Sequence, residues 1–343
     1  MIIFRLMPQT SFFYSSYVID GLTMDSTPAR LLGDESAEAP LEIVVDESLD
    51  PSPGGYVFDL RKIEKYQKML KGKSFPLDLP YAQAWARCTL ACDLIDTLWL
   101  KGHFLFEDIR LSADVKWNME KIGQGAALYF ACEGIGELAS DFDVSIEKRK
   151  FEEGDPFMKF TPVGQESSRG VGETLVPDED SWIIYLPFDT DDYHMGGSAL
   201  TAALGLTGGV APKMDDPDYF MDCYEVVREM AEDSVLLSGR TVGRGGLMTA
   251  LEAMTSSRVG AEVDISDLKR AYASSDIVRI LFSEVPGVLI QVSDSDFDYI
   301  DAEFLLQDVM YFPLGHPACG KKGVKVSWRE GGSINAILDS LVR

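Results

Sequence analysis

The sequence predicts a mixed α/β (α+β) protein that folds as two domains. Domains commonly hold about 100–200 residues, so a chain of 343 residues is expected to form two. Hydrophobic residues make up 46% of the chain and charged residues 25%, as in globular rather than disordered, collagen-like or coiled-coil proteins. In the second half, short β-branched runs alternate with helical patterns, which favours an α/β or α+β fold.

Two helices are predicted in the N-terminal half. Residues 80–100 are apolar on all sides, which predicts a largely buried helix. Residues 125–140 carry apolar side chains at helical spacing. A polar, glycine-bearing stretch follows and the pattern then changes. The sequence therefore predicts an N-terminal domain of residues 1–170 and a C-terminal domain of residues 171–343.

One acidic segment lies between Arg30 and Arg61, where the chain has no Lys or Arg. Its acidic residues are Asp34, Glu35, Glu38, Glu42, Asp46, Glu47, Asp50 and Asp59. Only residues 43–45 form a strand-like run. The proline and glycine content of the remainder predicts a flexible, solvated connection.

The C-terminal half alternates strand and helix patterns. A short strand is predicted over residues 182–186, and Asp216 with Pro217 forms a typical helix start, an N-cap followed by proline. Residues 276–284 predict a helix that leads into a strand over residues 288–292. Three helical faces are predicted: Phe220, Tyr224, Val227 and Ala231; Leu247, Ala250, Leu251 and Met254; and Ile334, Ile337, Leu338 and Leu341.

The charge balance excludes several classes of function. The chain has 56 Asp and Glu against 31 Lys and Arg, a net charge of −25. Such a field opposes binding to nucleic acid and to anionic membranes. No apolar run approaches the roughly 18 residues of a spanning helix, and residues 1–6 are too short for a signal peptide. We therefore expect a cytoplasmic protein without nucleic acid or membrane partners.

Cysteine and acidic clusters give no sign of a metal site. The five cysteines are odd in number, and Cys88 and Cys92 lie one helical turn apart without a second Cys or His pair nearby. Buried thiols are therefore favoured over metal ligands. Asp189, Asp191 and Asp192 are predicted to form a solvated turn.

Three glycine-bearing segments are the candidate functional motifs: residues 123–135, 194–200 and 238–251. In the last two, a Gly pair directly precedes a helical stripe. Such a turn can direct free backbone N–H groups at an anion, or it can serve tight packing alone. Neither the P-loop nor the Rossmann glycine pattern is present.

Taken in order, these segments resemble the C-terminal half of phosphoribosylformylglycinamidine synthase. The matching stretches are residues 108–113, 123–135, 195–200, 240–247 and 282–292. The resemblance covers about residues 80–292, whereas residues 1–75 resemble the family poorly. It implies the two-domain aminoimidazole-ribonucleotide-synthetase architecture, in which an N-terminal domain pairs with that of a second unit. It also implies ATP- and Mg²⁺-dependent amidine formation in purine biosynthesis.

The departures from the family pattern concern its acidic residues. Where the family has His-Asp-Val-Ser-Asp, this chain has residues 240–244, Arg-Thr-Val-Gly-Arg. Mg²⁺ prefers carboxylate oxygens, and an arginine repels it. The Asp-Ser pair expected within residues 143–151 is also missing. These departures predict a chain without independent catalysis, so we assign no catalytic residue and no metal ligand.

Two functional hypotheses remain open, and a third possibility is that the arginines simply lie on the surface without a function. Arg240 and Arg244, with Lys148, could bind a phosphate or a nucleotide such as ATP or ADP without a metal. Alternatively, the chain is a non-catalytic scaffold that pairs as a homodimer or with another synthetase-like unit. The residues predicted to lie near any nucleotide or phosphate are Gly196, Gly197, Ser198, Arg240, Arg244, Gly245 and Gly246.

Overall fold

The computed structural model describes residues 11–35, 42–102, 104–164 and 168–329. Its helices are α1 (Pro28–Leu31), α2 (Ile63–Leu70), α3 (Ala82–Thr97), α4 (Gln124–Asp141), α5 (Ala199–Leu204), α6 (Pro217–Glu232), α7 (Gly246–Met254), α8 (Ser266–Ala271), α9 (Ile277–Phe282) and α10 (Phe297–Leu306). Within these ranges, no helix combines the length and apolarity needed to cross a membrane.

Three sheets accompany the helices. The first contains β1 (Ser16–Ile19), β2 (Leu22–Thr23) and β3 (Ile43–Asp46), in the order β2-β1-β3. The second contains β4 (Arg110–Trp117), β5 (Ser145–Glu153) and β6 (Phe157–Pro162), in the order β5-β4-β6. The third contains β7 (Trp182–Pro187), β8 (Leu236–Val242), β9 (Val259–Asp264), β10 (Gly287–Val292), β11 (Phe312–Cys319) and β12 (Val324–Ser327), in the order β12-β9-β11-β7-β10-β8.

The six-stranded sheet is buried on both faces. Ile184 and Ile290 face one apolar cluster that includes residues of α3, α4 and α6. Ile183 and Leu289 belong to a second cluster, with residues of α7, α8 and α9. All pairings in this sheet are antiparallel except that of β12 with β9. The arrangement confirms the predicted α/β (α+β) class.

Among the described residues, the apolar core covers one face of the sheet β5-β4-β6, and the residues of its other face are half-buried or exposed. Along β4, buried and half-buried residues alternate, and Leu111, Ala113, Val115 and Trp117 point inward. These inward residues join the cluster formed with α3 and α4. Helix α3 is apolar all round because α4 packs on one side of it and strands β6, β8 and β10 pack on the other.

Most predicted elements are observed, and the helix starts are those that the sequence indicates. The helices predicted over residues 80–100 and 125–140 are α3 and α4, and the two predicted C-terminal strands are β7 and β10. The Asp216 carboxylate accepts the Tyr219 N–H at 3.1 Å, so it caps α6 as predicted. The helical face over Ile334 to Leu341 lies outside the described residues.

The acidic segment is only partly the solvated connection that the sequence predicts. Residues 43–46 form the predicted strand, and many of the following side chains are exposed. However, the Asp46 carboxylate accepts backbone N–H groups of Gly123, Gly125 and Ala126 at 2.7–3.1 Å. Phe58 is buried against the second apolar cluster. The prediction was wrong for these residues because their partners lie far away in sequence.

Candidate functional site

The two glycine turns predicted to bind an anion meet at Glu284, which follows α9. One carboxylate oxygen, Oε1, accepts the N–H of Ala199 at 2.8 Å and the N–H of Gly245 at 2.9 Å. The other, Oε2, accepts a hydrogen bond from Nη1 of Arg244 at 2.7 Å. The same Nη1 lies 3.2 Å from the carbonyl oxygen of Gly197. One internal carboxylate therefore binds donors from both turns.

Two of the glycines are required by close backbone approach. Gly197 has a φ of 70°, and a Cβ there would lie 2.8 Å from atoms of Tyr81. Gly246 has a φ of 71°, and a Cβ there would lie 2.6 Å from the Ser283 carbonyl oxygen. Residues other than glycine rarely adopt this left-handed backbone conformation. These glycines let the turns come close enough to Glu284 to share it.

The remaining predicted residues near these turns have internal roles. The Gly196 N–H donates to the Val210 carbonyl at 2.7 Å, and the Gly246 N–H donates to the Gly243 carbonyl at 2.8 Å. The Ser198 hydroxyl accepts the Thr201 N–H at 3.3 Å and caps α5. The first turn is thus held by the loop at Val210 and by its own serine cap, and the second by a hydrogen bond of its own backbone.

Arg240 and Arg244 line one small cleft of about 230 Å³, which we call the arginine cleft. Other residues in its wall are Cys92, Asp96, Thr241, Gly243, Gly246 and Thr249. Arg240 Nη1 lies 3.7 Å from Glu173, whose side chain is half exposed. Lys148 is on the exposed part of β5, opposite Ser112 of β4, and does not line this cleft.

A larger cavity of about 350 Å³ lies between α3, the residues before it, the start of β6 and both glycine turns. We call it the α3 cavity. Its apolar wall includes Phe75, Leu77, Tyr81, Trp85, Phe157 and Met158. Its polar end consists of Gly197, Gly243, Arg244 and Glu284. The cavity therefore joins an aromatic wall to the Arg244–Glu284 ion pair.

Burial raises the pKa values of two thiols and one carboxyl group in the wall of the α3 cavity. Burial raises the pKa of Cys88 to about 12 and also raises the pKa of Cys92. Burial raises the pKa of Asp93 to about 6, although Lys159 Nζ lies 2.6 Å away and opposes that effect. Thiols with raised pKa values are poor nucleophiles and poor metal ligands.

The acidic turn before the second glycine segment was predicted incorrectly at one residue. Asp189 is 3% exposed, and its carboxylate accepts the N–H groups of Asp191 and Asp215 at 2.8 and 3.1 Å. Asp191 and Asp192 are more exposed, as expected. Asp189 is buried because it satisfies two backbone donors of neighbouring loops.

The donor set around the predicted site does not fit Mg²⁺. Both oxygens of Glu284 are engaged by Arg244 and by backbone N–H groups. Asp93 is engaged by Lys159 and by the Phe160 N–H, both at 2.6 Å. No group of three or more metal-ligating side chains lies together in the described part of the chain. Mg²⁺ requires oxygens that no cation already holds.

Sequence reasoning missed the residue that organises this site. Glu284 is the acid within the family-like stretch over residues 282–292, where its neighbours Phe282 and Val285 are buried. An acid between buried apolar residues signals an internal partner, because an unpaired buried charge is costly. Trp85 and Tyr81 were missed since their helical spacing indicates only packing.

Comparison with known proteins agrees with this fold. Residues 179–300 match the family described as AIR synthase related protein, C-terminal domain. Human phosphoribosylformylglycinamidine synthase is 24% identical over 229 residues, which cover 61% of this chain and 16% of the human protein. The chain spans about a sixth of the length of the curated relatives it matches.

Solved structures show the same fold. Thermotoga maritima PurL complexed with FGAR has a TM-score of 0.51 at 14% identity, covering 78% of this chain and 48% of that one. The same enzyme complexed with ADP has a TM-score of 0.50 at 13% identity, covering 78% and 46%. Identities this low show likeness of fold alone.

Residues 179–300 are thus similar to the C-terminal domain of AIR synthase related proteins. Over 61–68% of its length the chain is similar to phosphoribosylformylglycinamidine synthase, the protein that its ordered motifs resemble. The comparisons therefore confirm the predicted resemblance and the predicted α/β (α+β) fold class.

Proposed function

We propose that this chain is a phosphoribosylformylglycinamidine-synthase-like protein without independent catalysis, acting through association with another protein unit. The observation that carries the proposal is the occupation of both glycine turns by Glu284. Its carboxylate takes the backbone donors and the cation that an incoming phosphate would need. The loss of the family's acids from residues 240–244 supports the same conclusion.

Titration with ATP and an activity assay test this proposal. We expect no heat on adding ATP to the protein, with or without Mg²⁺. We also expect no turnover when the protein is supplied with ATP, Mg²⁺, ammonia and formylglycinamide ribonucleotide. Turnover in that assay would show that the site is live and would overturn the proposal.

Association is supported by the open face of the sheet β5-β4-β6. That face carries Ser112, Asp114, Lys116, Lys148, Lys150, Glu152 and Thr161. The Oδ1 atom of Asp114 is shielded from solvent and accepts no hydrogen bond from the described residues. Acids and lysines both lie on this face, where Glu152 pairs with Lys116 and Lys150 at 2.8 Å, so a second copy of the face can oppose lysines with acids.

We therefore propose that two copies, or this chain and another synthetase-like unit, pair through this face. A dimer held by charged groups weakens as salt screens them, so sedimentation should show dissociation at high ionic strength. Lys148→Glu should weaken pairing at least about tenfold, because it adds an unpaired acid to the face. Lys68→Glu, an exposed change on α2, is the matched control. A monomer at all salt concentrations would contradict pairing between copies.

One observation favours a second candidate function, binding of phosphate or of a nucleotide such as ADP without a metal. Arg240 and Arg244 line the arginine cleft together, whereas the hydroxyl groups of Thr241 and Thr249 in its wall donate to Asp96 and to the Gly245 carbonyl. Guanidinium groups bind phosphate oxygens in pairs. If this function is correct, ATP binds without Mg²⁺ and Arg240→Ala abolishes the binding heat. The absence of heat in both conditions leaves the non-catalytic proposal in place.

A further inference from the structure

The α3 cavity has the size and the wall of a ligand site. Its volume of about 350 Å³ lies at the lower end of the roughly 300–1,000 Å³ that small-molecule sites occupy. Four aromatic side chains line it, namely Phe75, Tyr81, Trp85 and Phe157. Tyr81 is buried, Phe75 and Trp85 are half-buried, and Phe157 is 42% exposed. Aromatic walls of this kind favour flat, aromatic ligands.

The charged groups of the wall are already neutralised by partners within the protein. The charged side chains that line the cavity, within the described residues, are Asp93, Arg244 and Glu284. Arg244 pairs with Glu284 at 2.7 Å, and Asp93 pairs with Lys159 at 2.6 Å. Arg244 is the one lining cation among the described side chains, so an anionic ligand would compete with Glu284 for it and lie close to two acids, Asp93 and Glu284.

Polar contacts remain available at one end of the cavity. The carbonyl oxygen of Gly197 and Oε2 of Glu284 each accept one hydrogen bond, from Arg244, so each keeps a second lone pair for a further donor. A neutral ligand with an N–H group can donate to such oxygens, whereas a carboxylate or phosphate cannot. The wall thus selects by charge as well as by shape.

We propose that the α3 cavity binds an uncharged, planar aromatic compound that carries a hydrogen-bond donor. This ligand differs from the phosphorylated substrates of the enzymes that the chain resembles. The inference stands independently of the proposed function, since a live or a lost catalytic site leaves the aromatic wall unchanged. Trp85 supplies the largest flat surface, and the Arg244–Glu284 pair sets the charge that the site accepts.

A pair of isosteric probes tests the inference. Indole-3-acetamide and indole-3-acetate have the same shape and differ in charge, so calorimetric titration of the full chain with each isolates the effect of charge. We expect the amide to bind at least about tenfold more tightly than the acid, because the acid meets paired charges and a net negative protein. Equal affinities, the reverse order, or no binding of either probe would overturn the proposal.

Two variants identify the cavity as the binding place. Trp85→Ala should weaken the binding of indole-3-acetamide at least about tenfold. Trp328→Ala is the matched control, since it removes a tryptophan that does not line this cavity, and it should leave the affinity for indole-3-acetamide unchanged. Glu284→Gln removes one negative charge from the wall and should reduce the difference in affinity between indole-3-acetamide and indole-3-acetate. Far-UV circular dichroism and the melting temperature confirm that each variant is folded. If neither Trp85→Ala nor Glu284→Gln changes the affinity for the probes, the probes bind elsewhere and the assignment is refuted.

Discussion

Oε2 of Glu284 lies 2.7 Å from Nη1 of Arg244, although 40 residues separate them in the chain. The other oxygen of the same carboxylate holds the N–H groups that open α5 and α7. An internal side chain thus occupies the place where the glycine turns would otherwise receive an external anion. The pair also joins the turn after α9 to the starts of α5 and α7. It therefore stabilises the packing of these elements in addition to neutralising charge.

Removing the Glu284 side chain should destabilise the protein markedly. Glu284→Ala leaves the N–H groups of Ala199 and Gly245 without an acceptor and leaves Arg244 without its carboxylate. We expect the free energy of unfolding to fall by about 2–4 kcal/mol, as measured by urea denaturation.

Glu262→Ala is the matched control for that change. Glu262 forms an exposed ion pair with Lys321 at 2.8 Å. Exposed ion pairs contribute little to stability, so the free energy of unfolding of this control should fall far less than that of Glu284→Ala. If the two variants lose equal stability, Glu284 does not hold the turns together.

Alanine at Gly246 should be more harmful than alanine at a glycine of similar backbone conformation. Gly205 has a φ of 64° and open space where a Cβ would lie, whereas at Gly246 a Cβ would meet backbone atoms of Phe282 and Ser283 within 2.7 Å. We expect Gly205→Ala to reduce stability by about 1–2 kcal/mol through backbone strain alone. Gly246→Ala should reduce it by at least about 3 kcal/mol, because the turn must also move.

Thermal melts followed by circular dichroism measure this difference. The Gly246 variant should melt at a clearly lower temperature than the Gly205 variant. Similar melting temperatures would mean that the turn yields easily and that close approach to Glu284 is not required there.

Local patterns predicted most of the fold. The cap at Asp216, the proline after it and the apolar stripe of α6 lie within one segment, so sequence alone indicates them. The apolar residues on all sides of α3 likewise predict a buried helix from the sequence alone. Sheet order was out of reach, because β10 pairs with β7 and β8 from segments 45–110 residues earlier.

The candidate site was predicted only in part for the same reason. Sequence patterns identified the glycine turns and Arg244, since these are local motifs. They did not identify Glu284 as their partner, because that contact depends on how α9 packs against α7. The division of the chain at residue 170 and the pairing of two units stay predictions. Long-range contacts decide whether a motif faces a ligand or another part of the protein.

Asp46 should stabilise the fold by anchoring the acidic segment to α4. Its carboxylate accepts three backbone N–H groups at the start of that helix, where negative charge is also favoured. We expect Asp46→Ala to lower the free energy of unfolding by about 2 kcal/mol in urea denaturation. Asp50→Ala, at an exposed acid of the same segment, should change it by less than about 0.5 kcal/mol. Equal effects would indicate that general charge, rather than the contact, is responsible.

Asp93 should make stability depend on pH between about 4 and 7. Burial raises the pKa of its carboxyl group in the folded protein to about 6, from an ordinary value of 3.8. Between these values the folded state binds more protons than the unfolded state, so the free energy of unfolding falls as the pH rises. The difference in pKa corresponds to about 2–3 kcal/mol over the whole interval.

The neutral variant Asp93→Asn isolates this contribution from other titrating groups. It keeps an oxygen that can accept the Phe160 N–H, which now donates to Asp93 at 2.6 Å, but it does not titrate. Urea denaturation from pH 4 to pH 7.5 should show that wild type loses stability relative to Asp93→Asn as the pH rises. If the stability of wild type instead rises relative to that of Asp93→Asn as the pH rises, the ion pair with Lys159 has a larger effect on the Asp93 pKa than burial does. Asp93 is then charged well below pH 6.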